Sequence, residues 1–306
     1  MRVKFRYYTF MLAVLCACVG WAQATEFPTV LSSQSIGCEG YFPQIDNQGH
    51  RVLFSDTEAR YLYLYDLENG NKTTVSNTGM PGFEARFSPD GKVYYIAMHV
   101  KPNRLVFRSA HEFDPATGKT REVLAGQHGA VHAIAGTRGM AVVGENKSWN
   151  TASAGTLAWT LGTSLFIVKD GVTRTLTPVP GSVGYLWAQV SPGGDKVLFE
   201  AAGKGLYVVD LQGNVLMNTR PYIMPCWFND DVIVAQSRGM NIVLIDAKRG
   251  NSSTIATGGC CQPMVAGDKV IYTTKKGSIK ILTLGFSPAP GQSISVEDPE
   301  EEEVAQ

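Results

Sequence analysis

The sequence predicts an all-β fold, a β-propeller with six four-stranded antiparallel blades, from three observations. Short runs alternate apolar and polar residues with a period of two, and nothing after the first residues shows sustained helical periodicity. The 32 glycines, with many Asp and Asn residues, separate these runs as hairpin turns would. Two kinds of unit recur at intervals of roughly 36 to 57 residues, which suits four-stranded propeller blades.

The first unit is an apolar residue, a polar turn and a strand-like run. It reads FSPDGKVYYIA from Phe87, and related stretches begin at Ile45, Val190, Trp227 and Met264. FSPDGK combines a serine, an aspartate and a lysine, which could belong to a catalytic or metal site. However, Pro89 presets φ for a turn and Gly91 accepts a positive φ, and an EF-hand needs many more oxygen ligands at fixed spacing. We therefore predict a turn here rather than a metal or catalytic site.

The second unit is an alternating strand followed by Asp, a turn and Gly. It reads LYLYDLENGN, LFIVKDG, LYVVDLQGN and NIVLIDAKRGN, at 62–71, 165–171, 206–214 and 241–251, and EFDPATGKT at 112–120 belongs to the same series. The combined units begin near residues 40, 83, 128, 184, 222 and 260 and predict six blades, with seven as the alternative. The third unit is the weakest, because GENKSWNTASAGTLAWT resembles an insertion between its strands.

Residues 1–24 are predicted to be a signal peptide. Three basic residues precede the apolar run Tyr7–Trp21, and AQA at 22–24 is a small-x-small cleavage site. The apolar run is shorter than the roughly 20 residues of a spanning helix, so no membrane span is expected. Lipidation at Cys18, in LCAC, is the alternative. Either signal places the mature protein outside the cytoplasm.

The rest of the chain is predicted to be one propeller domain, 25–286, followed by a flexible acidic tail, 287–306. The stretch Phe27–Ser33 can complete the last blade as a strand from the other end of the chain. The tail holds EDPEEEE, which has no apolar residue to bury. The whole chain has 27 basic and 27 acidic residues, which gives no electrostatic footprint for nucleic acid. A monomer without a cofactor is expected.

FSPDGK, the strand after it and YLYDLENGN together resemble the TolB-type, WD-like propeller repeat of secreted bacterial proteins. The resemblance covers roughly residues 40–285 and is strongest in the first, second and fourth units. It implies a closed ring whose innermost strands line a central channel. It also implies a protein of the periplasm or cell surface of a bacterium. The repeat is informative about fold and says little about function.

Catalytic machinery is not evident in the sequence. The strings GTSLF at Gly162 and GNSST at Gly250 lack the last glycine of the GxSxG nucleophile elbow. His128 and His132 are weak metal candidates, because four residues on a strand separate them by roughly 13 Å, too far for two ligands of one ion. TolB-like pectate-fragment lyases do hold a metal through channel His and Gln residues. A channel enzyme therefore stays an alternative.

Four cysteines follow the predicted signal peptide: Cys38, Cys226, Cys260 and Cys261. They precede the first strands of the first, fifth and sixth units, which are neighbours in a ring. An even number in an exported chain favours disulfides, in which Cys226 pairs with one of the vicinal cysteines and Cys38 with the other. Such bridges require Cα atoms within about 7 Å. Free buried thiols or a soft-metal cluster are the alternatives.

Aromatic residues occupy the same position in the units. Candidate ligand-binding residues are Tyr41, Phe83, Tyr185, Trp187 and Tyr222. Of these, Tyr185, Trp187 and Tyr222 are expected to be the more exposed, whereas Trp227 takes the place of Phe87 and is expected to be buried. The alternative for the whole set is a core between blades.

Taken together, these patterns predict an exported, non-catalytic propeller. It would bind an envelope or extracellular protein, a peptide or a glycan at the channel mouth or on a blade face. One alternative is a lyase or hydrolase that acts on polysaccharide fragments in the channel. The other is a structural component of an envelope assembly.

Overall fold

The computed structural model describes residues 26–82 and 84–286, which contain strands and turns and no helix. The predicted signal peptide, Phe83 and the predicted acidic tail lie outside these residues. The strands form seven small antiparallel sheets, and the innermost strands of neighbouring sheets contact one another in sequence until the last contacts the first. The protein is therefore a closed seven-bladed β-propeller. No helix in the described part of the chain could span a membrane.

Blades 1 and 2 follow one another along the chain, each with four strands running outward from the channel. Blade 1 contains β2 (Tyr41–Ile45), β3 (Arg51–Ser55), β4 (Leu62–Asp66) and β5 (Lys72–Ser76). Blade 2 contains β6 (Arg86–Phe87), β7 (Val93–Val100), β8 (Val106–Asp114) and β9 (Lys119–His128).

Blades 3 and 4 have only three strands each. Blade 3 contains β10 (Val131–Ala135), β11 (Met140–Gly144) and β12 (Ser148–Trp149). Blade 4 contains β13 (Leu157–Leu161), β14 (Ser164–Lys169) and β15 (Val172–Leu176).

Blades 5, 6 and 7 again have four strands. Blade 5 contains β16 (Tyr185–Val190), β17 (Lys196–Ala201), β18 (Gly205–Asp210) and β19 (Val215–Thr219). Blade 6 contains β20 (Ile223–Trp227), β21 (Val232–Gln236), β22 (Ile242–Asp246) and β23 (Ser252–Ala256). Blade 7 contains β24 (Cys260–Ala266), β25 (Lys269–Thr274), β26 (Ser278–Gly285) and β1 (Thr29–Glu39).

The prediction of six four-stranded blades is wrong, and the error lies in the third unit. The segment taken as one unit with an insertion forms six strands, β10–β15, in two sheets. The backbone N–H of Tyr185, at the start of β16, donates to the carbonyl of Gly162 in the β13–β14 turn (2.7 Å). The equivalent bond at the start of blade 7 runs from the Cys260 N–H to the Met240 carbonyl (2.7 Å). Met240 lies in the turn between the second and third strands of blade 6.

By this comparison, β13 corresponds to a second strand, and blade 4 has no first strand. Blade 3, in turn, has no fourth strand. The segment 131–176 therefore contains only one first strand and one fourth strand, although it forms two sheets. Counting repeated units in the sequence gave one blade too few for that reason.

The ring closes through a strand from the start of the described chain. β1 pairs antiparallel with β26 as the outermost strand of blade 7, from Thr29 opposite Gly285 to Glu39 opposite Ser278. The chain then passes through Gly40 directly into β2, the innermost strand of blade 1. β1 thereby covers the outer edge of β26 and ties the start of the described chain to the last blade.

Local turn chemistry follows the sequence pattern closely. In the FSPDGK stretch the Ser88 N–H donates to the Lys92 carbonyl (2.8 Å), the Gly91 N–H donates to the Ser88 carbonyl (2.9 Å), and Gly91 has φ of 79°. The predicted turn is confirmed. Trp227 is 7% exposed and packs between blades 5 and 6, so its predicted burial is also confirmed.

Candidate ligand site at the channel mouth

Four innermost strands carry the same backbone irregularity near their beginning. In β2, β16, β20 and β24 the pairing with the next strand shifts at this point. One residue in each bulge has a positive φ, namely Phe42 (53°), Trp187 (54°), Met224 (49°) and Gln262 (56°). We call these four the bulge residues, and the face of the ring where they lie the top face.

The bulges are a costly conformation for these residue types. A left-handed backbone in a residue other than glycine is strained by about 1–2 kcal/mol, and none of the four positions is glycine. All four side chains are half-buried, and three of them are large and apolar or aromatic. Strained backbone of this kind clusters at binding sites in proteins. The channel opening on the top face, the channel mouth, is therefore the first place to seek a ligand.

Side-chain amides hold two of the bulges in place. The Gln262 N–H donates to Oε1 of Gln236 on blade 6 (3.0 Å), and the Phe42 N–H donates to Oε1 of Gln262 (2.8 Å). Next to them, the Thr273 hydroxyl donates to the Gly40 carbonyl (2.8 Å). These bonds join blades 6, 7 and 1 in series, so the polar groups of this sector of the mouth already have partners.

Blade 2 places a different kind of group at the mouth. Arg86 occupies the position in β6 that Gln44, Gln189, Cys226 and Met264 occupy in other blades. Burial lowers the pKa of Arg86 below its usual range, while the negative charge of Glu84 acts in the opposite direction.

Arg86 lies on the innermost strand of blade 2, and its side chain is half-buried. The Arg86 charge and the Cys226 thiol influence each other's pKa. Arg86 belongs to blade 2 and Cys226 to blade 6, with blades 7 and 1 between them around the ring. Within the described part of the chain the guanidinium forms no hydrogen bond and no ion pair. A charged group with five donors is therefore half-buried without a hydrogen-bond partner among the described residues.

Blade 3 adds a histidine beside this arginine. Nδ1 of His132, on β10, lies 3.3 Å from Oε2 of Glu84. The other ring nitrogen, Nε2, is buried and has no hydrogen-bond partner among the described residues. Since buried polar atoms nearly always have a partner, Nε2 is a second unsatisfied group at the mouth.

The aromatic candidates divide into two groups. Trp187 is a half-buried bulge residue, and Tyr41 is half-buried beside the bulge of blade 1. Tyr185 and Tyr222 are 3% and 1% exposed, so the expectation that they are exposed is wrong. Phe83 lies outside the described residues.

The two buried tyrosines are held by hydrogen bonds between neighbouring segments. The Tyr185 hydroxyl donates to the Val179 carbonyl (3.1 Å) and accepts from the Val179 N–H (2.9 Å). The Tyr222 hydroxyl donates to Oγ of Ser252 (3.0 Å) and accepts from Nε of Arg220 (2.7 Å). Their polar tips are satisfied inside the protein, which lets the rings pack as core.

The predicted disulfides are not formed. All four cysteines are free, and no two lie at disulfide distance. Cys226 donates weakly to the Pro263 carbonyl (3.7 Å), Cys260 to Thr257 O (3.2 Å) and Cys261 to Thr273 O (3.5 Å). Cys38 packs instead between blades 7 and 1. Each thiol therefore has a separate environment. An even number of cysteines was not sufficient to predict disulfides.

The thiols are also poor nucleophiles. Burial raises the pKa of Cys226 to about 12 and that of Cys38 to about 11, and it raises the pKa of Cys260 and Cys261 as well. Because the thiolate is the reactive form, we expect all four thiols to be unreactive, the buried Cys226 and Cys260 as well as the half-buried Cys38 and Cys261.

The two metal candidates lie on different blades. His128 ends β9, the outermost strand of blade 2, and its ring contacts Phe107 edge-on at 6.0 Å. His132 is on the innermost strand of blade 3. No group of three or more His, Cys, Asp or Glu residues within the described ranges is placed to hold a metal ion.

Sequence reasoning missed Glu84 and Arg86, although a signal for them was present. Both lie within three residues before Phe87 and occupy positions that hold an aromatic residue, a methionine, a cysteine or an amide in other units. Aligning the units position by position would have shown two charged residues on innermost strands. Glu84 and Arg86 were missed because only the cysteines and aromatic residues at these positions were compared.

Comparison with known proteins bears on the fold. No protein-family model matches this chain, and no curated protein matches it. A chain from a crystal structure of the mitotic checkpoint complex is similar over 92% of this chain and 99% of that chain, with 10% identity and a TM-score of 0.55. An oligogalacturonate lyase in complex with manganese is similar over 81% of this chain and 78% of that chain, with 13% identity and a TM-score of 0.48. Identities this low concern the fold alone.

The topology and the first of these similarities define the class: the chain is a β-propeller protein with seven blades. Membership of the TolB-like family, bacterial origin and export stay predictions from the sequence.

Proposed function

We propose that this protein is an exported, non-catalytic propeller that binds a glycan, a peptide or a protein segment at the channel mouth. The observation that carries this proposal is the set of strained bulges on the top face. Three of them hold Phe42, Trp187 and Met224 half-buried on the innermost strands. The two aromatic rings offer stacking to a ligand at a small cost in side-chain entropy, and the flexible Met224 offers an adaptable apolar contact.

Rigid blades support this role, because they hold the bulge residues in fixed positions before a ligand arrives. Binding then requires little ordering of the protein, which favours affinity. The non-catalytic part of the proposal rests on the sequence, which lacks a nucleophile elbow.

The test uses the chain from residue 25 onward, immobilised for a glycan array and for a pull-down from envelope extract. A specific hit on either is expected. Replacing Trp187 with alanine should weaken that hit about tenfold or more, because loss of one stacked aromatic costs about 1–3 kcal/mol. Tyr65→Ala is the matched control, since Tyr65 is a half-buried aromatic on the third strand of blade 1, away from the channel.

Two outcomes would contradict the proposal. A ligand whose binding responds to Tyr65→Ala and ignores Trp187→Ala would bind elsewhere on the ring. Release of shortened products from a bound glycan would show that the protein is an enzyme.

A further inference from the structure

The unsatisfied groups of blades 2 and 3 narrow the chemistry of the ligand. Arg86 is half-buried on the innermost strand of blade 2 and forms no ion pair or hydrogen bond within the described residues; burial also lowers its pKa. A charge held in this way costs stability unless something compensates it. The compensating group must be an acceptor, because a guanidinium only donates, and a carboxylate matches its planar fork best.

His132 adds a requirement of the opposite kind. In the neutral form of the imidazole the proton is on Nδ1, because the Glu84 carboxylate that faces Nδ1 at 3.3 Å can only accept. Nε2 is then a buried acceptor without a partner. The group that satisfies it must donate a hydrogen bond, as a hydroxyl does.

Glu84 connects the two groups. Glu84 contacts His132 directly, and its charge acts on Arg86 two residues further along the chain. The innermost strands β6 and β10 also contact each other. Arg86, which can donate to a ligand, and Nε2 of His132, which can accept from it, therefore belong to innermost strands that contact each other.

We propose that this sector of the mouth binds a hydroxy-carboxylate, with the carboxylate on Arg86 and a neighbouring hydroxyl donating to Nε2 of His132. The inference rests on the proposed function, whose ligand it specifies: the ligand carries an acidic, hydroxylated group. Sugar acids and free hydroxy acids both have this chemistry. Trp187 and the other bulge residues would contact the remainder of the ligand.

The experiment is isothermal titration calorimetry of the full mature chain with four small probes. Glucuronate has both groups on a ring, glucose has hydroxyls alone, and cyclohexanecarboxylate has a carboxylate alone. Glucuronate is expected to bind at least about tenfold more tightly than either of the other two, because each loses one charge-assisted or buried hydrogen bond. Lactate, the fourth probe, distinguishes a free hydroxy acid from a sugar acid.

Three variants assign the binding to this site. Arg86→Gln should lower glucuronate affinity about tenfold or more, and Arg86→Lys should lower it less, because lysine keeps the charge and loses the fork. His132→Phe should remove the preference for glucuronate over cyclohexanecarboxylate. Arg174→Gln is the control, since it removes a positive charge from an exposed position on the outermost strand of blade 4 and should change nothing.

Thermal unfolding separates a binding role from a structural one. If Arg86 is kept for a ligand, Arg86→Gln should leave the melting temperature of the unliganded protein unchanged or raise it, because the uncompensated charge is gone. A lowered melting temperature would overturn the inference, and so would glucuronate binding that is unaffected by Arg86→Gln.

The inference and the proposed function can fail separately. An array hit that is neutral, weakened by Trp187→Ala and indifferent to Arg86→Gln would overturn the hydroxy-carboxylate inference and leave the proposed function standing. Glucuronate binding that requires Arg86, without any macromolecular ligand, would support the inference and contradict the proposed function.

Discussion

Replacing Glu112 with glutamine should destabilise the protein at neutral pH far more than at low pH. The Glu112 carboxylate is nearly buried in blade 2 and accepts from Nε and Nη2 of Arg121 (3.1 and 2.8 Å) and from Nζ of Lys92 (3.3 Å). The Tyr94 hydroxyl donates to it as well. With Arg121 as the largest cause, these bonds lower the pKa of Glu112 from 4.5 to about 2.

The size of the effect follows from that difference of about 2.5. At about 1.4 kcal/mol per pKa unit it corresponds to about 3 kcal/mol of folding free energy, or about 2–3 kcal/mol because water screens the exposed Arg121. The folded protein binds fewer protons than the unfolded chain when the folded-state pKa is the lower one. The stabilisation is therefore nearly complete above about pH 5, and about three fifths of it is lost by pH 3.

The assay is urea unfolding of the wild type, Glu112→Gln and Glu122→Gln at pH 7 and pH 3, followed by tryptophan fluorescence. Glu122 is an exposed glutamate on the same blade, so its replacement should change little. Glu112→Gln should lower the free energy of unfolding by about 2–3 kcal/mol at pH 7 and by about 1 kcal/mol at pH 3. An equal loss at both pH values would refute the argument, and so would no loss at pH 7.

Further predictions concern thiols, a close contact and ring closure. Native Cys226 and Cys38 should resist iodoacetamide at pH 8, since burial raises their pKa to about 12 and about 11; rapid labelling would contradict this. A Cβ on Gly82 would overlap Cβ of Ser55, whereas Gly139 has open space, so Gly82→Ala should lower stability by about 1–3 kcal/mol and Gly139→Ala should not. Deleting residues 26–39 exposes the edge of β26 and should cause aggregation in light scattering; a monomer with an unchanged melting temperature would refute it.

Much of the fold could be predicted from local sequence. The FSPDGK turn, the strands beside it and the burial of Trp227 all follow from residue types within a few positions of one another. Turn chemistry and period-two alternation are local properties, so a single sequence displays them. The same reasoning assigned the chain to the propellers, because repeated local units at blade spacing leave few other all-β architectures.

The candidate site could be predicted only in part. Trp187 was singled out, and the structure places it half-buried in a bulge. Tyr185 and Tyr222 are also aromatic and each stands two residues before a bulge residue, yet their hydroxyls find partners inside the protein. Burial of a given aromatic depends on what the neighbouring blade brings against it, which the sequence of one unit does not contain.

The sequence by itself determined the class of fold, the turns and the strand-rich repeats, because each depends on residues adjacent in the chain. Only the tertiary structure decided that there are seven blades, since blade membership depends on which strands pair and blades 3 and 4 share one starting and one ending unit. It alone brought Glu84, Arg86 and His132 together, and it kept the four thiols apart. Closure of the ring makes neighbours of residues that are distant in sequence, and no local pattern records those contacts.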